Sequence, residues 1–345
     1  MQEKFTEIAM WNCFIFNFDS DMSVIKEIEK LLNKDLKSFQ QVFSTAMDSK
    51  VPLLDIVLRY IHKQKGKQMR PMFVFLSAHL AGEPKKASAR AASLIELLHT
   101  ATLVHDDVVD EAEKRRNLFS INALWKNKVA VLAGDFLLSR GLSLALAAKD
   151  YEVLEIVSEA TREMAEGELL QIEKARRLDI KEEVYFEIIR KKTATLISSC
   201  CAAGAASVGA NIETILKMKL FGEYVGIAFQ IKDDLFDFQK SNKIGKPQGI
   251  DIKEQKMTLP LIYMLNNLSA TERKQAITIV KKHHNNPEKV SALVNQVNAS
   301  GGIAYAEQQM YVYRDKALAI LNEFPRSEYR LALENLVKYT CERKK

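Results

Sequence analysis

The residues of this sequence best suited to chemistry are two aspartate triplets. They are Asp106-Asp107-Val108-Val109-Asp110 and Asp233-Asp234-Leu235-Phe236-Asp237. In an α-helix the first and last aspartates of each triplet lie one turn apart on the same face, which crowds the carboxylates together. Crowded carboxylates repel one another, and a bound cation relieves the repulsion. Either triplet alone could be a solvated acidic helix end, but both end apolar segments, which favours a shared metal pocket.

The chemistry of the carboxylates indicates both the metal and its partner. Hard oxygen ligands select Mg²⁺ over softer metals, and protein-bound Mg²⁺ keeps waters and bridges to phosphate oxygens. The pattern therefore predicts a diphosphate ligand, which needs cationic side chains around it. Arginine suits bidentate phosphate contact and lysine acts as a point charge. The candidates, each of which alone could be an ordinary surface charge, are Lys67, Arg70, Arg115, Arg116, Lys191, Lys192, Lys246 and Lys256.

Helices must position these residues, because apolar side chains recur at helical spacing along most of the chain. Only 13 glycines and 7 prolines occur and no Pro/Gly/Ser-rich linker interrupts the middle, so we predict an all-α fold with one domain over 22–345. Residues 1–21 read as an extension or a mis-assigned start. Loops are predicted at 113–120 and 240–256, the second long enough to be functional. The predicted helices cover 23–43, 52–64, 71–80, 87–111, 121–148, 151–175, 181–208, 212–239 and most of the chain from 258 onward, with breaks near 283–287 and 299–302.

Composition narrows the class of protein. The net charge of +6 comes from Lys and Arg spread among Glu residues, and no zinc-finger or other nucleic-acid signature occurs, so no nucleic-acid partner is predicted. Cysteines stand at 13, 200, 201 and 341, without the spacing of a zinc site or a disulfide framework, which indicates a reducing, cytoplasmic location. No uninterrupted apolar run reaches roughly 18 residues, so no transmembrane segment is predicted.

Taken together, these motifs resemble those of the trans-type isoprenyl diphosphate synthases, which make farnesyl, geranylgeranyl and longer polyprenyl diphosphates. The resemblance runs from about residue 22 onward. Two glycines usual in the family are replaced, by Lys65 and Asn117. Both are positions where backbone freedom matters, so the departures concern loop geometry and not charge. The matching segments are Asp106 through Arg116, Gln230 through Asp237, Gly66-Lys67-Gln68-Met69-Arg70-Pro71, Ala130 through Asp135, Gly167-Glu168 with Gln171, Lys192-Thr193, and Lys256 with Thr258-Leu259-Pro260.

The resemblance implies a single helical bundle of the isoprenoid synthase type around a central apolar cavity, and it implies a homodimer. It also assigns roles to residues, with about three Mg²⁺ ions per active site. The metal ligands would be Asp106, Asp110 and Asp233, supported directly or through water by Asp107, Asp234 and Asp237. The allylic diphosphate would be held by Arg115, Lys192 and Lys246, with Gln171, Thr193, Gln230 and Lys256 nearby. Isopentenyl diphosphate would be held by Lys67, Arg70, His99 and Arg116; without the resemblance, His99 would read as a satisfied polar residue of a buried helix.

The implied reaction is electrophilic alkylation, in which the allylic C–O bond ionises and the double bond of isopentenyl diphosphate attacks. Small residues, Ala101 and Thr102, stand one turn before Asp106, where a bulky aromatic stops chain growth in some family members. The growing tail is therefore expected to pass toward Leu98. The expected product has about six to nine isoprene units (C30–C45) and would be delivered to a membrane. The alternatives are a geranylgeranyl or farnesyl diphosphate synthase, a terpene cyclase, and a non-catalytic subunit of a heteromeric synthase.

Overall fold

The computed structural model describes residues 23–63, 68–115, 118–177, 181–238 and 249–343. Apart from one small hairpin, the regular elements in these ranges are helical, so the prediction of an all-α fold is confirmed. In chain order they are α1 (residues 23–31), α2 (Asn33–Ala46), α3 (Pro52–Lys63), α4 (Met69–Ala81), α5 (Lys86–Val109), β1 (Lys114–Arg115), β2 (Leu118–Phe119), α6 (Ile121–Ala148), α7 (Tyr151–Arg177), α8 (Glu182–Ile189), a π-helical turn (Arg190–Ala194), α9 (Thr195–Ala206), α10 (Ile212–Phe238), α11 (Ile250–Lys253), α12 (Leu259–Asn267), α13 (Ala270–Lys282), α14 (Pro287–Ala299), α15 (Gly302–Asn322) and α16 (Glu328–Glu342).

The long predicted helices are confirmed to within a few residues, because long apolar periods are strong signals, except that the helix predicted over 23–43 is divided at Leu32 into α1 and α2. Three further local predictions were wrong, one of them the loop at 240–256, in which Ile250–Lys253 form a short helix. The expected loop at 113–120 contains an antiparallel pair of strands, in which Lys114 opposes Phe119 and its ammonium lies 5.5 Å from the ring centroid. Strands of two residues are too short to show a period. The expected helix 181–208 is divided by the π-helical turn. Residues 1–22, which include the predicted extension, lie outside the described part of the chain.

The chain divides into two compact units, each assembled from separate segments. Unit 1 consists of the described residues of Met1–Glu159, Ser199–Lys219 and Phe324–Leu336, and unit 2 of those of Ala160–Ser198, Leu220–Glu323 and Val337–Lys345. The sequence predicts one domain over 22–345, and the division into two compact units does not test that prediction.

The core of unit 1 is built mainly where α5 packs against α6. Leu94 and Leu98 of α5 are fully buried, and burial of each such side chain contributes about 1.5–3 kcal/mol. Gly141 of α6 allows the close approach, since a Cβ there would lie 3.0 Å from Leu94 Cδ1. This packing fixes the direction of α5, which ends at the first aspartate motif.

The core of unit 2 surrounds α10, which ends at the second aspartate motif. Ile227, Ile231 and Leu235 recur at intervals of four residues on its buried side. Side chains of α8, α12, α14 and α15 pack in the same apolar cluster. The last turn of α10 is therefore held on several sides.

Helix α6 is long and apolar enough to cross a membrane, judged by length and composition alone. Core helices of water-soluble proteins pass the same test. Asp135 and Arg140 interrupt its apolar run, which is why the sequence predicted no transmembrane segment.

Candidate active site

The first aspartate motif turns one carboxylate inward and leaves two at the surface. Asp107 is only 3% exposed, and its Oδ1 accepts a hydrogen bond from Arg115 Nε at 2.8 Å. Burial raises the pKa of Asp107, and the Arg115 guanidinium opposes that rise. Asp106 is half-buried in the last turn of α5, and Asp110, the C-cap, is exposed. The chain thus anchors the middle aspartate and presents the other two.

The hairpin after the motif positions Arg115. Arg115 pairs with Leu118 across the two strands, and the Ser120 hydroxyl that follows donates to Ala112 O at 2.5 Å. Asn122 Nδ2 adds bonds to Asp107 O (3.1 Å) and Ala112 O (3.2 Å). The loop is therefore tied back to the end of α5. Arg116 lies outside the described residues.

The second motif repeats the pattern with different partners. Asp234 is 6% exposed, and both of its oxygens accept hydrogen bonds, from Tyr185 Oη (2.7 Å) and from Gln230 Nε2 (2.8 Å). Thr193 in turn donates to Gln230 Oε1 at 2.8 Å. The middle aspartate is again the anchored one.

The outer aspartates of the second motif also have partners within unit 2. Asp237 accepts from the backbone N–H groups of Ile250 (2.8 Å) and Asp251 (3.2 Å), at the start of α11. Asp233 pairs with Arg343 near the end of the described chain, and this guanidinium lies over the ring of Phe229, 4.3 Å from its centroid. Arg343 therefore supplies positive charge to an aspartate of the predicted metal set.

The electrostatics of unit 2 suit a cation. Burial, followed by the charge of Asp251, raises the pKa of Asp234 to about 7. Burial, followed by the charge of Asp237, raises the pKa of Asp251 to about 6. Carboxylates that repel each other in this way are the hard oxygen donors that Mg²⁺ prefers, so the residues fit the predicted metal. Within the described ranges no three His, Cys, Asp or Glu side chains form a preformed metal-binding group, and Mg²⁺ usually takes many of its ligands from water and phosphate.

A cavity of about 220 Å³ lies beside the second motif, wholly within unit 2. It unites residues that the sequence predicted around the allylic diphosphate with one of the predicted metal residues, and the carboxylates of Asp234 and Asp251 share its lining with ammonium, amide and hydroxyl groups. Four further lining residues, Ala175, Ile188, Ile189 and Met257, give it an apolar wall. The predicted residues that line it are Gln171, Lys192, Thr193, Gln230, Asp234 and Lys256.

The π-helical turn brings Lys192 and Thr193 to this cavity. Gly167 of α7 packs against the turn so closely that a Cβ there would lie 2.7 Å from Lys192 N. Gly226 of α10 also packs closely against the turn, since a Cβ added there would lie 2.4 Å from Ala194 Cα. Single π turns are frequent at functional sites, because they change which side chains face a pocket.

Ion pairs fix the cationic side chains in this structure. Lys192 pairs with Glu168, and Lys256 pairs with Glu254. Lys246, in the predicted loop at 240–256, lies outside the described residues, although part of that loop, Ile250–Lys253, forms α11.

The residues predicted to hold isopentenyl diphosphate lie in unit 1. Arg70 Nη1 is 3.3 Å from Glu96 Oε2, and Gln68 before it adopts a left-handed backbone with φ 50°. His99 is half-buried, and its carbonyl accepts from Thr102 Oγ1 at 2.9 Å. Lys67 lies outside the described residues.

The predicted chain-length residues lie on α5 before the first motif. Ala101 and Leu98 are buried in the core of unit 1, and Thr102 is half-buried. Thr102 is therefore the more accessible of the two small positions.

Sequence reasoning missed several lining residues of the cavity. Tyr185 stands 49 positions before its partner Asp234, and no local spacing predicts that contact. Asp251 follows the second triplet by 14 residues and falls within the predicted polar loop at 240–256. Gln255 and Thr258 complete the polar residues that were given no role, although Thr258 lies in a segment that matches the family. The available signal was an aspartate in a lysine-rich loop that follows the motif closely.

Comparisons with known proteins identify the family of the chain and its fold. The profile of the family described as polyprenyl synthetase matches residues 51–297. The octaprenyl diphosphate synthase of Escherichia coli (strain K12) is 33% identical over 92% of this chain and 99% of its own length. The solved structure of a polyprenyl synthase from Caulobacter crescentus CB15, complexed with calcium and isoprenyl diphosphate, superposes with a TM-score of 0.85 at 31% identity, covering 92% of this chain and 98% of that one.

A geranylgeranyl pyrophosphate synthase from Bacteroides thetaiotaomicron is 40% identical, with a TM-score of 0.80 over 94% of this chain and 100% of its own. These matches confirm the family that the motifs predicted and the all-α fold of that family. The chain belongs to the polyprenyl synthetase family and is a trans-prenyltransferase.

Proposed function

We propose that this chain condenses an allylic diphosphate repeatedly with isopentenyl diphosphate and releases a product of about six to nine isoprene units (C30–C45). The observation that carries the proposal is the unit 2 cavity. Lys192, Lys256 and Asp234 all line it, together with an apolar wall. Ammonium groups and a metal-loaded carboxylate site suit a diphosphate, and the apolar wall suits a prenyl tail.

In each motif the outer aspartates are the proposed metal ligands. Asp106, Asp110 and Asp233 would bind Mg²⁺ directly, with Asp237 in support. Asp107 and Asp234, anchored by protein hydrogen bonds, would act by orienting their neighbours. When bound, about three Mg²⁺ ions would supply positive charge that neutralises the departing diphosphate.

The remaining polar residues would bind and orient the two substrates. Their cationic groups offset phosphate charge, and their amides and hydroxyls fix orientation. The allylic diphosphate would contact Arg115, Lys192 and Lys246, with Gln171, Thr193, Gln230 and Lys256 nearby. Isopentenyl diphosphate would contact Lys67, Arg70, His99 and Arg116.

The apolar wall of the cavity would exclude water while the allylic cation exists. Ionisation breaks the C–O bond, the isopentenyl double bond forms the new C–C bond, and the released diphosphate takes the proton that restores a double bond. In this scheme the protein supplies charge, orientation and dryness, and no side chain acts as the general base.

The long product is supported by the small residues Ala101 and Thr102 and by the likeness to an octaprenyl diphosphate synthase. A geranylgeranyl diphosphate synthase is the second candidate, because the Bacteroides thetaiotaomicron protein is 40% identical. The length of the product made by the purified chain separates the two.

A homodimer is proposed on the outer face of α6. This face exposes Val131, Leu132, Leu142 and Leu146, which all follow the non-helical residue Lys126, and Leu132 is 58% exposed. A stripe of this kind on one helix suits burial against a second copy. The free, buried thiols of Cys200, Cys201 and Cys341 suit the proposed cytoplasmic location, from which the product would pass to a membrane.

The proposed metal ligands are tested by measuring incorporation of labelled isopentenyl diphosphate by the purified chain. Asp106→Asn and Asp233→Asn should each lower the rate by on the order of a hundredfold or more and raise the Mg²⁺ concentration needed for half-maximal rate. Asp48→Asn, at an exposed acidic residue outside the motifs, is the matched control and should leave the rate unchanged. Wild-type rates in both motif variants would refute the assignment.

A further inference from the structure

Tyr185 is a buried tyrosine whose hydroxyl points at the second aspartate motif. It is 3% exposed in the apolar core of unit 2, and its ring meets Phe186 edge-on with the centroids 5.4 Å apart. The packing fixes the ring, so the hydroxyl stays 2.7 Å from Asp234 Oδ2. A preorganised donor of this kind needs no rearrangement when a charged ligand arrives.

The hydrogen bond of Tyr185 begins a chain of contacts that reaches the substrate cavity. Asp234 Oδ1 accepts from Gln230, and Gln230 accepts from Thr193 of the π-helical turn. Lys192 precedes Thr193 in the same turn. Tyr185 is thus linked to the motif and to the turn that carries the predicted diphosphate-binding lysine, and all of these residues line the cavity.

The occupied oxygens of Asp234 show what the tyrosine does. With one donor on each oxygen, the carboxylate is held in a single orientation along the inner side of α10. Without Tyr185 one oxygen would lose its donor in a buried place, where an unsatisfied charged acceptor is costly. The carboxylate would then be free to rotate. The hydrogen bonds that Gln230 makes to Asp234 and to Thr193 of the π-helical turn would no longer be held in one geometry.

We propose that Tyr185 is a positioning residue, which orients Asp234 and, through Gln230 and Thr193, sets the geometry in which metal and diphosphate bind together. The inference rests on the proposed function of the cavity. It concerns assembly of the site and does not place Tyr185 in contact with the reacting atoms.

The test is titration of the purified chain with Mn²⁺, in place of Mg²⁺, in the presence of inorganic diphosphate, with free Mn²⁺ measured by electron paramagnetic resonance. Tyr185→Phe keeps the ring and removes only the hydroxyl. It should weaken diphosphate-dependent Mn²⁺ binding by about tenfold, which is the loss expected for one hydrogen bond to a charged group. The apparent KM for the allylic substrate should rise and the product length should not change.

Tyr305→Phe is the matched control. Tyr305 also lies in unit 2 and also gives its hydroxyl to a carboxylate, Glu182 at the start of α8, over 2.6 Å. It lies outside the residues that line the cavity, so its variant should bind Mn²⁺ and diphosphate like the wild type. Equal weakening in both variants would overturn the proposal, since the effect would then be general destabilisation.

The same Mn²⁺ titration is done with Asp234→Asn, which removes the charge of the residue that Tyr185 contacts. This variant tests the proposal if Tyr185→Phe folds poorly. Because the two residues act as a unit, Tyr185→Phe should add no further loss in the Asp234→Asn background. Additive losses, or wild-type Mn²⁺ binding by Tyr185→Phe, would contradict the proposal. A wild-type chain that binds Mn²⁺ with diphosphate yet incorporates no isopentenyl diphosphate would sink the proposed function and leave this inference standing.

Discussion

Arg115 Nε donates a hydrogen bond to Asp107 Oδ1 over 2.8 Å and so ties the hairpin to the middle aspartate of the first motif. Both residues were predicted to act on metal or diphosphate, yet in the structure they hold each other. Since Asp107 is buried, this pair supports the end of α5 and at the same time leaves Asp106 and Asp110 toward the surface.

Replacing Arg115 should therefore cost stability as well as activity. Arg115→Met leaves the Asp107 carboxylate buried without its cation, at a cost of about 2 kcal/mol. Urea unfolding followed by circular dichroism measures the loss. Arg59→Met is the control, because Arg59 pairs with Asp55 on an exposed helix face and such pairs contribute little. An unchanged midpoint for Arg115→Met would show that the pair does not support the fold.

Gly167→Ala should damage the site through the backbone. The added Cβ would lie 2.7 Å from Lys192 N, so the π-helical turn must move. Displacements of about 1 Å at a site can cost on the order of a hundredfold in rate. Steady-state rates at saturating Mg²⁺ test this. Gly82→Ala, where the new Cβ would meet only the Val208 side chain at 3.3 Å, should keep its activity, and comparable rates in the two variants would argue against the role of Gly167.

Thr102→Phe should shorten the product. Thr102 is half-buried one turn before Asp106, and an aromatic ring there would occupy the expected path of the tail. Chromatography of the dephosphorylated products should show fewer isoprene units, with the first condensation still active. Thr100→Phe is the control, because residues two apart point to opposite sides of a helix. Unchanged product length in Thr102→Phe would show that the tail does not pass along this side of α5.

Arg343→Met should lower the melting temperature more without metal than with it. Arg343 pairs with Asp233 in this structure, and its removal takes positive charge away from a carboxylate that stands close to Asp234 and Asp237 in the sequence. Excess Mg²⁺ with inorganic diphosphate should restore most of the loss. Arg330→Met, on α16 and paired with Glu334, should give a loss that metal does not change. If the melting temperature of Arg343→Met were lowered by the same amount with and without metal, Arg343 would have no part in the metal site.

The helices and both aspartate motifs could be predicted from sequence, because periodicity and spacing are local properties. Which carboxylate of each triplet is anchored could not. Asp107 and Asp234 are inward because Arg115 and Tyr185 reach them from other elements. The π-helical turn was likewise hidden, since it depends on the close approach of Gly167 and Gly226 from separate helices. The gap lies in tertiary contacts, which single-sequence spacing does not encode.

The chain length of the product is the measurement that tests the central proposal most directly. Purified chain would be incubated with farnesyl diphosphate and excess isopentenyl diphosphate, with Mg²⁺ or with EDTA, and the products sized by mass spectrometry. We predict Mg²⁺-dependent products of about six to nine isoprene units and none with EDTA. Accumulation of only C15 or C20 product, or elongation without a divalent metal, would contradict the account.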